Sequence, residues 1–186
     1  MTTALLIIDV QKAILNPAET PARQQAQDAA LDAVAMRLSK LQQAARKAGA
    51  PVVIVQHSGE AQHRLGRGQP GWQLRDEIAP QAGEPVVHKT ACDSFFDTDL
   101  EARLKERHVT HLVIGGCMTQ FCVDTTVRRA VSMGYDVTLV ADGHATEDSG
   151  ALTFEQIVAH HNGLLDGFDA GSKVASVKKA EAISFA

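Results

Sequence analysis

The sequence has little cysteine, no excess of basic charge and no long apolar run. Its 186 residues include only three cysteines, Cys92, Cys117 and Cys122. An odd, small number in a chain of this size is no disulfide framework. Eighteen Lys and Arg stand against 22 Asp and Glu, a net charge of −4 with the signs interspersed. That balance speaks against a nucleic-acid partner, which calls for a basic face. No apolar stretch approaches the roughly 18 residues that a membrane span takes, so no membrane partner is expected. The opening MTTALLIIDV shows no basic leader, and its apolar stretch is short and runs into an acid. A cytoplasmic location is the expectation. Internal repeats, low-complexity tracts and linkers are also missing. Residues 1–186 are therefore read as a single domain. A chain this long can bury roughly 70% of its unfolded surface without covalent staples.

What is present is a series of short apolar runs. Ala4–Ile8, Val52–Val55, Leu112–Ile114 and Val137–Ala141 are rich in Val, Ile and Leu and do not alternate. That pattern suits strands buried on both faces of a parallel sheet. Pro85–His88 is a weaker candidate. Between the runs lie helical patterns. Leu31, Val34, Ala35, Leu38, Leu41 and Ala45 draw one stripe over 28–47, and Gly49 and Pro51 end it. The spacing also predicts helices around Leu100 and Leu104, over 121–133 and over 154–165. The tail at 174–183 reads as a strand and a final turn. Strand and helix alternate throughout, so the expected fold is α/β: one three-layer α/β/α domain with a mainly parallel, Rossmann-like sheet. One segment breaks the alternation. Residues 58–83 are rich in Gly and Pro and carry the only tryptophan, Trp72. A loop of this length in a compact domain is often a lid or pocket wall.

In open α/β sheets, ligands bind beyond the carboxyl ends of the strands, where the strand order reverses. The residues that follow the apolar runs are Asp9, Gln56 and His57, His88 and Lys89, Gly115-Gly116-Cys117, and Asp142. Asp9 sits at the rim of five apolar residues, where a carboxylate needs a partner. It could be a loop or helix cap, or a proton shuttle. Lys89 could lie on the surface, or hold a thiolate and a carboxylate together. Cys122 falls in the first turn of a helix, where unpaired N–H groups and the helix dipole favour a thiolate and could hold an oxyanion. Thr119 could cap that helix and compete for one donor. Cys117 and Cys122 could instead form a redox pair, although four intervening residues fit no short metal or redox spacing. His57 and His63 follow the second strand. His160 and His161 are adjacent on a helix and point in different directions, so they do not share a metal.

These residues resemble the isochorismatase-like cysteine hydrolases over nearly the whole chain. Leu5-Leu6-Ile7-Ile8-Asp9-Val10-Gln11 is similar to the family's opening strand and acid. His88-Lys89-Thr90-Ala91-Cys92-Asp93-Ser94-Phe95 is similar to its lysine segment. Gly115-Gly116-Cys117-Met118-Thr119-Gln120-Phe121-Cys122-Val123 is similar to its nucleophile segment, and Asp142-Gly143-His144-Ala145 to the turn that follows. The resemblance implies a catalytic triad of Asp9, Lys89 and Cys122. It also implies a cis peptide between Cys117 and Met118, and an oxyanion hole from the N–H groups of Met118 and Cys122. Presence of the cysteine favours the amidase branch, acting on a small amide or lactam through a thioester. The metal-binding members carry an Asp-x-His after the second strand. Here Gln56-His57-Ser58-Gly59-Glu60 lacks that aspartate, so no metal or other cofactor is expected. The resemblance leans to the streptothricin-hydrolase-like group and implies a homo-oligomer. Gln11, His57, Trp72, Phe95, Phe121 and His161 are candidate substrate contacts. A nicotinamidase-type amidase, a redox sensor and a ligand-binding protein without catalysis stay open as alternatives.

Overall fold

A computed structural model describes residues 2–185. Seven strands form one sheet in the order β3-β2-β1-β4-β5-β7-β6. They are β1 (Thr2–Ile8), β2 (Val52–His57), β3 (Val86–Lys89), β4 (Val109–Cys117), β5 (Asp136–Ala145), β6 (Asp169–Ala170) and β7 (Lys173–Lys178). All neighbours pair in parallel except β6 with β7. Four helices cover the sheet: α1 (Pro21–Lys47), α2 (Leu100–Glu106), α3 (Asp124–Ser132) and α4 (Phe154–Leu165). This is the expected α/β sandwich.

The continuous apolar runs are explained by burial on both sides. Leu5 and Ile7 of β1 pack with Leu31, Val34, Leu38 and Leu41 of α1. Their neighbours Leu6 and Ile8 pack on the other face, with Leu100 and Leu104 of α2 and Val127 and Val131 of α3. A side-chain period of two sends each strand's residues to both layers in turn.

The chain departs from its sequence pattern in three places. Helix α1 begins at Pro21, ahead of its apolar stripe. Thr20 caps it by accepting from the Arg23 N–H, and proline occupies the first turn. Strand β5 runs on to Ala145. Its register with β4 jumps from Ile114–Leu139 to Gly116–His144, so residues 140–143 bulge. Asp142 therefore lies inside the strand and pairs with Arg37 at 3.1 Å; it is not delivered to the ligand edge. The helix expected over 121–133 is divided. Residues Thr119–Val123 form a π-helical turn, and α3 starts only at Asp124.

The order reverses between β1 and β4: β2 and β3 extend to one side of β1, and β4 and β5 to the other. At this point Gly116 has a φ of 134° and lies opposite Ile8. A Cβ there would collide with the Ile8 carbonyl. Glycine alone lets β4 approach β1 this closely in that conformation. The peptide between Cys117 and Met118 is cis.

Candidate active site

Asp9 is the first residue beyond β1. Its φ of 52° is left-handed, a conformation that costs a non-glycine residue about 1 kcal/mol or more. The Asp9 N–H donates to the Val55 carbonyl at 2.9 Å, and its own carbonyl accepts from the Gln11 N–H at 2.9 Å. Lys89 closes β3 and reaches the same point from two strands away. Its Nζ lies 2.7 Å from Asp9 Oδ2, with both side chains fully buried. The same Nζ donates to the Ala91 carbonyl at 2.8 Å and to Cys122 Sγ at 3.1 Å. An ammonium has three protons, and all three partners are here. Cys122, in the π-turn after β4, is 9% exposed and is more accessible than Asp9 or Lys89.

The electrostatics correct one expectation. Burial, and next the negative charge of Asp9, push the Cys122 thiol up, with Lys89 pulling the other way. The resting sulfur keeps its proton, unlike the thiolate that a helix end alone would favour. The same burial raises the Asp9 carboxyl above its ordinary range, opposed by Lys89. Burial would lower Lys89, but Asp9 and Cys122 together hold its ammonium above the usual lysine value. A thiol, a carboxylate and an ammonium in one dry contact can exchange a proton without exposing a bare charge.

A cavity opens beside the end of β3 at Lys89, whose side chain is itself fully buried; Asp9 and Cys122 do not line it. It holds about 440 Å³ and is lined by Ser58, Gly59, Ala61, Arg67, His88, Lys89 and Thr90. An adjoining space of about 530 Å³ shares Ser58, Gly59 and Thr90 and adds His57, Glu60 and His63. The Gly/Pro-rich loop thus forms one wall. Burial, with Lys89 second, lowers His57 so that its imidazole is neutral at the cavity's edge. Among the described residues, no three His, Cys, Asp or Glu side chains are grouped as a metal site requires.

Of the expected substrate contacts, His57 lines the cavity, and the others have different places. Gln11 is fully buried and holds the scaffold. Its Oε1 accepts from the His57 N–H, and its Nε2 donates to the carbonyls of His57 and Trp72. Every polar group of that amide is engaged, so it is a tie between β1, β2 and the loop. Trp72 stands behind the wall, its ring stacked 5.7 Å from His88 and its Nε1 donating to Ser58 Oγ. Phe95 is in the core, stacked on Tyr135 at 6.0 Å. Phe121 is 46% exposed and outside the cavity lining. His161 donates to the Ile157 carbonyl of its own helix and does not line the cavity. Sequence reasoning missed Arg67, Thr90 and Ser58 as lining residues. Ser58 and Thr90 carried a positional signal, since they directly follow His57 and Lys89 at the ends of β2 and β3.

Cys117 and Cys122 belong to different layers. Cys117 packs with α1 and Cys122 with α3. Both are free, and burial pushes Cys117 up to about 12.

The fold is an α/β domain with a mainly parallel seven-stranded sheet, and its switch point brings an acid, a lysine and a cysteine together. Residues 3–177 match the Isochorismatase domain, and the chain belongs to the isochorismatase family of hydrolases. A streptothricin hydrolase of Streptomyces noursei is 35% identical over 185 residues, 98% of this chain. This chain spans 64% of that relative's length. A ureidoacrylate amidohydrolase of Caulobacter segnis is 38% identical over 86 residues, 46% of this chain and 35% of its own. The crystal structure of an isochorismatase from Pseudomonas putida superposes with a TM-score of 0.83 at 28% identity, covering 97% of this chain and 89% of that one. No helix among the described residues is long and apolar enough to cross a membrane.

Proposed function

We propose that this hydrolase is a cysteine amidohydrolase that cleaves a C–N bond of a small amide or lactam. One observation carries the reading: a single buried ammonium, Lys89, contacts both the Asp9 carboxylate and the Cys122 sulfur. The amidohydrolase name of one relative supports the bond type.

Asp9 takes the Cys122 thiol proton as the sulfur attacks the substrate carbonyl. Lys89 stabilises the charges before and after this transfer, which suits a thiol that rests protonated. The N–H groups of Met118 and Cys122 hold the oxyanion. Asp9 returns its proton to the departing nitrogen, the C–N bond breaks, and a thioester remains. Water, deprotonated by Asp9, attacks the thioester, releases the acid and restores the thiol.

The test is release of ammonia or amine from a panel of small amides, carbamoyl compounds and lactams, with ring-opened lactams read by product mass. Turnover in the wild type and none in a folded Cys122→Ala variant is the expected result. A fully active alanine variant would remove the cysteine from the chemistry.

A further inference from the structure

Lys89 and Cys122 meet although the sheet does not pair the strands that lead to them. Between β3 and β4 lie β2 and β1. A buried hydroxyl outside the triad ties the two segments to each other. Thr126 stands on α3, one helical turn past Cys122, and Ser94 follows Lys89 in the next loop; both are fully buried. The Ser94 N–H donates to Thr126 Oγ1 at 3.1 Å, and the two hydroxyl oxygens are 2.9 Å apart. Thr126 Oγ1 also donates to the Cys92 carbonyl at 3.5 Å. One assignment gives both hydroxyl protons a partner: Ser94 donates to Thr126, and Thr126 donates to Cys92. A single hydroxyl thus holds both ends of 92–94. The residue before them is Ala91, whose carbonyl accepts from Lys89 Nζ at 2.8 Å. A second contact across the same gap, Arg129 with Asp93 at 3.6 Å, is partly in solvent and adds little.

We infer that Thr126 is a positioning residue that clamps the Lys89 segment to the Cys122 helix and so keeps the ammonium on the sulfur. Its part in turnover rests on the cysteine reading above. Without that hydroxyl the Ser94 N–H and Oγ would be buried and unpaired, a cost the chain relieves by moving toward water. Ala91 would move with them. Lys89 Nζ, which donates to the Ala91 carbonyl, would be drawn from Cys122. The sulfur would keep its burial and its neighbour Asp9 and lose its cation.

The experiment needs no substrate. Alkylation of Cys122 by iodoacetamide, read by mass on its own peptide, is followed against pH. Burial and Asp9 raise the thiol, and Lys89 opposes them. A Cys122 that loses Lys89 alone is therefore harder to ionise. Thr126→Val keeps the branched shape and removes the hydroxyl. Its alkylation below the midpoint should be slower than in wild type, about ten-fold for each pH unit by which the midpoint rises. Thr126→Ser should restore the wild-type rate. Ser94→Ala, a milder change that keeps the N–H bond, should slow alkylation less and in the same sense. In an Asp9→Leu/Lys89→Met background there is no cation to position, and adding Thr126→Val should leave the rate unchanged. A threonine that merely supports the fold predicts the opposite sign, because a loosened core exposes the thiol and speeds alkylation. Faster or unchanged alkylation in Thr126→Val, or in Ser94→Ala should the first not fold, would overturn the inference. The cysteine reading fails separately, through a folded Cys122→Ala variant with full turnover.

Discussion

Lys89 Nζ meets Asp9 Oδ2 at 2.7 Å with neither side chain in contact with solvent. Each charge is tolerable only because the other is there. Lys89→Met strands a carboxylate in the core, and removing one partner of such a pair costs about 3–5 kcal/mol. Urea denaturation should show that loss. The double variant Asp9→Leu/Lys89→Met should recover most of it while remaining without turnover. If the double variant is less stable than Lys89→Met, the pair contributes more than mutual compensation.

The resting thiol predicts how Cys122 responds to pH. Burial and Asp9 hold its pKa above the ordinary thiol value of 9.0. Alkylation by iodoacetamide should therefore keep rising past pH 9, without a plateau near neutrality. Asp9→Asn removes a negative neighbour that opposes the thiolate, so the midpoint should fall. A wild-type midpoint below pH 7 would mean that the sulfur rests as a thiolate and that Asp9 is not its base.

Activity should carry an acid limb from Asp9. The base form is the carboxylate, and burial raises its pKa from 3.8. The rate should then fall as pH drops through a value above 3.8. The linkage to stability has its own sign. A group whose folded pKa is raised binds protons more tightly in the folded state. Its contribution is present below 3.8 and is lost as pH rises through the folded value. A kcat/KM profile and a series of melting temperatures on the same samples would test both signs.

Gln11 offers a different kind of test, because its position suggested substrate and its contacts show structure. Gln11→Leu strands the His57 N–H and removes the Gln11 donor from the His57 and Trp72 carbonyls, although Trp72 keeps the Gln56 amide at 2.8 Å. A buried unsatisfied group costs about 1–3 kcal/mol. The melting temperature should fall clearly, and KM should rise through loss of the loop's anchor. A variant with native stability and a raised KM would return Gln11 to direct substrate contact.

Much of this site was readable because chemistry and fold share one signal. Asp9 and Lys89 each terminate an apolar run, and Cys122 follows the glycines that end β4. Other features leave no local mark. The first two turns of α1 bury only Gln27, so no apolar stripe announces them, although Thr20-Pro21 is a start signal. The bulge that carries β5 to Ala145 sits on Asp142 and Gly143, which read as a strand end. Partners of buried polar groups are set by tertiary contact. Gln11 meets His57 across 46 residues, and Thr119 meets His144 across 25. No spacing rule reaches that far.

The two buried cysteines separate catalysis from redox chemistry. Cys117 lies on the α1 face of the sheet and Cys122 on the α3 face. A disulfide needs Cβ atoms roughly 3.5–4.5 Å apart and directed at one another, which residues in opposite layers do not offer. Mild oxidation should therefore leave no intramolecular loss of two hydrogens in the intact mass. Cys117→Ser should keep most of the turnover, while its buried hydroxyl lowers stability by about 1–3 kcal/mol. Cys122→Ala should do the reverse, abolishing turnover with little change in melting temperature. Equal loss of activity in the two variants, together with a reversible two-hydrogen mass shift, would favour a paired-cysteine mechanism and require β4 to rearrange.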